Sequence, residues 1–207
     1  MRIRPTALLL CFSIGILATL TGCLGTSRQT HYFTLNALAE PVQSDSLATS
    51  STIMLRRVKT ATYLDRAPMV LRQGEHQIIL DDFNQWSQSL SQEIDTTLQQ
   101  NLTRLLPQST IVSEWANEID PDKTISIHIL RFDWQDNTAN LEGRFILQCK
   151  EQKPVIRPFN LTQAAPEKSS AAMPEAYSQV ILKLSESIAQ TIQGPNAKPL
   201  EMGQNTN

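Results

Sequence analysis

The side chains able to do chemistry in this 207-residue chain are few and scattered. His31, His76 and His128 are its three histidines, and no HExxH or CxxC spacing accompanies them, so they do not compose the ligand set of a metal site. No Gly-x-Ser-x-Gly elbow and no glycine-rich phosphate loop occurs. Acid/base work would need two carboxyls within reach of one reacting group, and Asp81-Asp82, Asp65 and Glu142 are the acids to weigh. The Asp81-Asp82 pair stands directly before an amphipathic run and reads more simply as a helix cap. Cys149 lies in an alternating apolar stretch as a small buried residue. With 18 basic and 20 acidic residues the chain is formally −2, and nothing in this balance suggests a nucleic-acid partner, which would need a basic face. These residue types predict a non-enzymatic protein with no metal and no cofactor.

Cys23 differs because of what precedes it. Arg2 and Arg4 open the chain, and Ala7 to Leu20 is a nearly unbroken apolar run without charge. Such a run is a secretory h-region, shorter than the ~18 to 20 apolar residues that cross a bilayer core. It ends in Leu20-Thr21-Gly22-Cys23, which resembles the lipobox of bacterial lipoproteins. The resemblance implies that residues 1–22 are a signal peptide removed by cleavage. Cys23 then becomes a lipidated N-terminus, carrying a diacylglycerol on its thiol and an acyl chain on its new amine. Several chains on one residue anchor stably where a single chain does not. Cys11 leaves with the signal, and Cys149 becomes the lone free thiol. An aspartate after the lipidated cysteine is the usual inner-membrane retention signal; by the same resemblance Leu24 points to the outer membrane, on its periplasmic side. Residues 23–30 read as a polar, lipidated tether.

The elements that would follow are legible from period and punctuation. His31 to Leu35 suits a strand, Glu40 to Ser51 is a polar loop without apolar period, and Thr52 to Val58 is a second strand. Pro68 makes an extended turn that feeds a strand at Met69 to Arg72, and Gly74 turns it into a partner strand at His76 to Leu80. Trp86, Leu90, Ile94, Leu98, Leu102 and Leu105 then mark one face of a helix expected from Asn84 to Leu106, capped by Asp81 or Asp82 and stopped at Pro107. After it the period falls to two. Ser109 to Ser113 is a short strand, and Thr124 to Trp134 a long one whose apolar phase slips between Ile129 and Leu130, as at a β-bulge. Asp136-Asn137 turns the chain, Asn140 to Lys150 returns, and Gln152 to Gln163 carries Pro158 as an edge strand would. A second helix is expected from Pro174 to Gln193 with Gly194 as its C-cap, and 194–207 as a disordered tail. The pattern predicts one α+β domain over 31–193: a mainly antiparallel mixed sheet with two long helices packed on one face.

Several of these residues together carry a likeness. His31-Tyr32-Phe33-Thr34-Leu35, then Tyr63-Leu64-Asp65-Arg66 followed by Met69-Val70 and Arg72, then Phe83, Trp86 and Leu90 resemble the ABC-type transport auxiliary lipoprotein family, and within it the branch of the paraquat-inducible (Pqi) systems. The likeness runs from about Tyr32 to Gln193. It implies an auxiliary subunit of an MCE/ABC-type intermembrane lipid transport system, with an MCE-domain tunnel protein and ABC-type transporter subunits as partners. It further implies a homo-oligomeric ring that receives the periplasmic tunnel at the outer membrane. Tyr63, Leu64, Asp65, Arg66 and Trp86 are the expected interface or structural motif: Tyr63 and Leu64 fill a core or a contact, and the charged pair fixes the turn.

Overall fold

One strand, Lys123–Gln135, is the spine on which the rest of the sheet is hung. The computed structural model describes residues 28–41, 51–114, 118–150, 152–166 and 172–194. Within them the order is β1 (His31–Phe33), β2 (Ser51–Leu55), β3 (Lys59–Thr60), a 3-10 turn (Thr62–Leu64), β4 (Pro68–Gln73), β5 (Gln77–Trp86), α1 (Leu90–Leu105), β6 (Ser109–Ser113), β7 (Lys123–Gln135), β8 (Thr138–Cys149), β9 (Val155–Ala164) and α2 (Met173–Gln193). Along one edge β7 pairs antiparallel with β8 over almost its whole length, and β9 closes that side as an edge strand. The other edge is shared in succession by β2, β3 and β4, each running parallel to β7. The sheet therefore forks: β6 continues beyond β2, and β5 with β1 continues beyond β4. The long ladders are antiparallel and the parallel ones short, which makes the α+β architecture a mixed sheet.

The phase slip in β7 is a bulge. Register shifts between Ile129 and Arg131, so Ile125, Ile127 and Ile129 are buried before it and Phe132 after it, while Leu130 is thrown out to 45% exposure. Asp136 and Asn137 take φ of 49° and 61°, the paired positive values that a tight two-residue hairpin turn requires. Gly143 faces Ile129 beside the bulge, where a Cβ would collide with the His128 carbonyl oxygen and come within 2.8 Å of the Phe159 ring. Pro158 sits in the edge strand β9, as its missing N–H demands.

Both helices cover the same sheet face, formed on β8 by Ala139, Leu141, Phe145 and Leu147. α1 presents Leu90, Ile94, Leu98 and Leu102, and α2 presents Tyr177, Val180, Ile181, Leu184 and Ile188, all at 0–1% exposure. Burying each such aliphatic side chain contributes about 1.5–3 kcal/mol. Asn101 of α1 donates to Ser185 Oγ of α2 at 3.2 Å, a polar tie between the two helices.

The expected helix from Asn84 is corrected here. Residues through Trp86 belong to β5, and α1 begins at Leu90 with Ser89 as its N-cap residue. Asp81 caps no helix. Its Oδ1 accepts the Phe83 and Asn84 N–H groups at 3.1 and 3.2 Å, and its Oδ2 accepts Asn84 Nδ2 at 2.6 Å, within an irregularity where Pro68 faces Gln85 and Met69 faces Asp81. The signal segment, Cys23 and residues 195–207 of the expected tail lie outside the described residues.

Candidate functional site

The segment from Thr60 to Arg72 leaves the edge of β7 and returns to it one bulge later. Ala61 N–H donates to the Ile129 carbonyl at 2.9 Å, the 3-10 turn closes through Leu64 N–H to the Ala61 carbonyl at 2.9 Å, and the Ala67 carbonyl accepts Trp86 N–H at 2.8 Å. Backbone bonds thus fix both ends, so the turn cannot swing. Leu64, 1% exposed, plugs the core. Tyr63 is half-buried and its hydroxyl donates to the Leu130 carbonyl at 3.2 Å, at the bulge itself. Burial, and after it the Asp133 charge, pushes the Tyr63 phenol up. Asp65 and Arg66 project from this rigid turn into solvent.

Beside the turn lies an ion cluster that sequence reading did not find. Asp133 is fully buried; its Oδ2 accepts Arg72 Nε and Arg131 Nε, both at 2.7 Å, and its Oδ1 accepts Asn140 Nδ2 at 3.3 Å. Arg131 also reaches Gln135 Oε1 at 2.8 Å, and Arg72 the Glu75 carbonyl at 3.2 Å. The Asp133 carboxylate raises the Arg72 pKa through that hydrogen bond. Between β4 and β7 the backbone supplies a single register pair, Leu71 with Trp134. The ion cluster is therefore the principal polar weld of the β4–β5 hairpin to the spine. Asp133 sits among alternating apolar residues, and only its pairing with Arg72, 61 residues away, reveals its role.

Trp86 ends β5 and is 4% exposed. Its ring lies 5.9 Å from Phe132 and 5.3 Å from Tyr177, which in turn lies 4.5 Å from Phe132 and 5.8 Å from Trp134. This aromatic cluster joins β5, β7 and α2 beneath the turn. The Tyr177 phenol is pushed well up, first by burial and then by Asp133. The predicted residues thus divide: Leu64 and Trp86 support from below, Tyr63 bridges, and Asp65 and Arg66 form the surface.

A strap is the second feature missed. After β1 the chain runs in the groove between the helices. Leu35 N–H donates to Glu93 Oε2, Asn36 N–H to Ser178 Oγ and Ala39 N–H to Asn101 Oδ1, each at 3.0 Å, while Arg104 donates to the Ala37 and Ala39 carbonyls. Glu93 also accepts Ser87 Oγ–H at 2.8 Å. Glu93 and Asn101, two of the polar residues buried on α1, are thus clamps of the strap, and their signal in the sequence was a polar residue on the apolar side of the helix.

The histidines do not converge: they lie in β1, at the β4–β5 turn and in β7. Among the described residues no three His, Cys, Asp or Glu side chains are grouped to hold a metal, and no helix is long and apolar enough to cross a membrane. Cys149 is a free, partly buried thiol.

A family model described as "ABC-type transport auxiliary lipoprotein component" matches residues 33–189, from the end of β1 to the last turns of α2. A crystal structure of an uncharacterized protein superimposes with a TM-score of 0.69 at 21% identity, over 80% of this chain and 99% of that one. Protein XCC0632 from Xanthomonas campestris, a DUF330 family member, does so with a TM-score of 0.66 at 13% identity, over 79% and 94%. At these identities the likeness concerns the fold. No match was found among curated proteins.

Proposed function

Because the chain belongs to the ABC-type transport auxiliary lipoprotein component family, we propose that it is the membrane-anchored auxiliary subunit of an MCE/ABC-type intermembrane lipid transport system of the Pqi type. Family membership carries association with a membrane and with transporter subunits. In our reading Cys23 holds the protein to the periplasmic side of the outer membrane, identical copies form a ring, and the ring receives the end of an MCE-domain tunnel. The role is non-catalytic.

The observation that carries this reading is the family match over the whole folded domain, including the Tyr63–Arg66 turn. The turn has the build of a contact surface: Asp65 and Arg66 are exposed on a backbone fixed at both ends and supported by Leu64 and Trp86. The anchor geometry is compatible. Arg28 packs its guanidinium 4.6 Å over the Phe83 ring, and in the sequence Leu24 to Ser27 lie between it and Cys23. At ~3.3–3.6 Å per residue that span reaches less than about 20 Å, which keeps the β1 edge near the bilayer.

The test is a pull-down from crosslinked cells with the native lipidated protein, with Cys23→Ala as the unanchored control. Recovery of an MCE-domain protein with transporter subunits supports the reading. Recovery of envelope structural proteins alone would replace it with a structural or assembly lipoprotein without a transport role.

A further inference from the structure

The sheet face turned away from the helices carries, on the Lys123 side of the β7 bulge, a cleft of about 450 Å³. The cleft forms where Arg57 and Val58 arch away from β7, after the Arg56 N–H bond to the Ile125 carbonyl and before the β3 ladder. Register places its floor without ambiguity. Lys59 pairs with His128, and His128 with Arg144, so these three stand in one row across three strands, with neighbouring strands about 4.8 Å apart. The next row is Ser126, Ile146 and Ile156, and Arg144 is followed in its own row by Pro158.

Two properties of this face call for a ligand. The first is charge. The cleft is lined by four formal cations, Arg56, Arg57, Lys59 and Arg144, against one carboxylate, Glu114, in a chain that is net negative. Glu114 is engaged at the rim, where its Oε2 accepts Arg57 N–H at 3.2 Å, and Arg57 acts on Asp95. Arg56, Lys59 and Arg144 form no ion pair with any described residue. Glu142, two residues along β8 on the same face, is the other nearby acid and does not line the cleft. Lys59 and Arg144 flank His128 in one row, and among the described residues no carboxylate pairs with either of them. The second is apolarity beside the charge: Ile156 is 58% exposed, Leu130 45%, and Ile146 lines the cleft. A small anion would satisfy the basic row and leave the isoleucines wet; an apolar ligand would do the reverse.

We propose that this cleft binds an anionic amphiphile, with its phosphate head on Lys59, Arg144 and Arg56 and the start of its apolar chain on Ile146 and Ile156. The size is that of small-molecule pockets, which run from about 300 to 1,000 Å³. A zwitterionic head would bring a cation into a row already crowded with them, so the site selects net negative heads. The site is separate from the Tyr63–Arg66 turn and does not depend on the ring or tunnel reading.

The test is calorimetric titration of the full lipidated chain in non-ionic detergent with dihexanoyl-phosphatidylglycerol, dihexanoyl-phosphatidylcholine and inorganic phosphate. The phosphatidylglycerol should bind saturably, and the phosphatidylcholine about tenfold or more weaker. Lys59→Gln/Arg144→Gln should weaken the anionic lipid about tenfold or more, whereas Lys153→Gln/Lys183→Gln, with the same net charge, should leave it within about twofold. Ile156→Asn should weaken the lipid without changing phosphate. Binding of phosphate as tight as that of the anionic lipid would reduce the site to one for a free anion and overturn the proposal. Equal binding of the two lipids, no binding, or indifference to Lys59→Gln/Arg144→Gln would overturn it as well; all these substitutions are at exposed positions, so thermal melts of the variants should match the parent.

Discussion

Removing both arginines from Asp133 should cost more than the sum of removing each. In Arg72→Met, Arg131 still meets Asp133 Oδ2 at 2.7 Å, and in Arg131→Met, Arg72 does. Each single change therefore loses one hydrogen bond to a charged group, about 1.5–3 kcal/mol. Arg131 should fall at the lower end, since its side chain is 30% exposed against 18% for Arg72. In the double variant the carboxylate stays fully buried with Asn140 Nδ2 at 3.3 Å as its remaining partner. Beyond the two lost hydrogen bonds, the double variant leaves the buried charge without a cationic partner, so the double change should exceed additivity by about 1.5 kcal/mol, inside the range of about 0.5–3 kcal/mol for residues that share one network. The assay is urea unfolding of the four proteins in a Cys23→Ala background, followed by tryptophan fluorescence, with Trp86 and Trp134 near the cluster as reporters. The excess should lower the double variant's midpoint by about 1 M urea beyond the summed single shifts. Additivity within about 0.5 kcal/mol, with singles below that value, would refute the assignment of the cluster as the weld between β4 and β7.

Gly143→Ala forces a Cβ against the His128 carbonyl and the Phe159 ring, and should destabilise by about 1–3 kcal/mol or more, read as a lowered melting temperature. Trp86→Ala should cost about 3–5 kcal/mol as an aromatic truncation in the core, whereas Asp65→Lys with Arg66→Glu should leave unfolding within about 0.5 kcal/mol and instead reduce recovery of partners after crosslinking. Glu93→Ala frees the strap at Leu35 while its other clamps remain, so hydrogen exchange at the Leu35 amide should rise clearly while the β7–β8 amides keep their protection. Burial raises the Asp95 pKa above 3.8, outweighing the Val58 N–H bond, so its ionised form opposes folding. For an acid with a raised folded pKa this penalty appears as pH rises from the unfolded value through the folded one. Asp95→Asn, whose amide oxygen can still accept Val58 N–H, should therefore be more stable than the parent at pH 7, with the difference shrinking on acidification and vanishing below about pH 3.8; an advantage that does not shrink would refute it.

Local chemistry made much of this protein legible from its sequence. The phase slip at Ile129-Leu130, the Asp136-Asn137 turn, the Gly74 hairpin and the edge proline Pro158 each depend on a few adjacent residues, because turns, bulges and side-chain alternation are set within that range. The apolar faces of α1 and α2 were equally plain. Even the misread Asp81 keeps the chemistry assigned to it, since its carboxylate accepts N–H groups two and three residues on, as an N-cap does; the chain around it is strand.

What decided that difference was not local. Trp86, Leu90 and Ile94 continue one helical phase, so periodicity alone extends the helix too far back; pairing of β5 with β1 and β4 holds residues through Trp86 extended. The Asp133 cluster, the strap on Glu93 and Asn101, and the basic row of Lys59, His128 and Arg144 unite residues from separate parts of the chain. A sequence states which faces each element can bury and where it can turn. Which strand lies beside which, and hence which charges meet, follows from packing all of those faces at once, so only the tertiary structure could place these three groups.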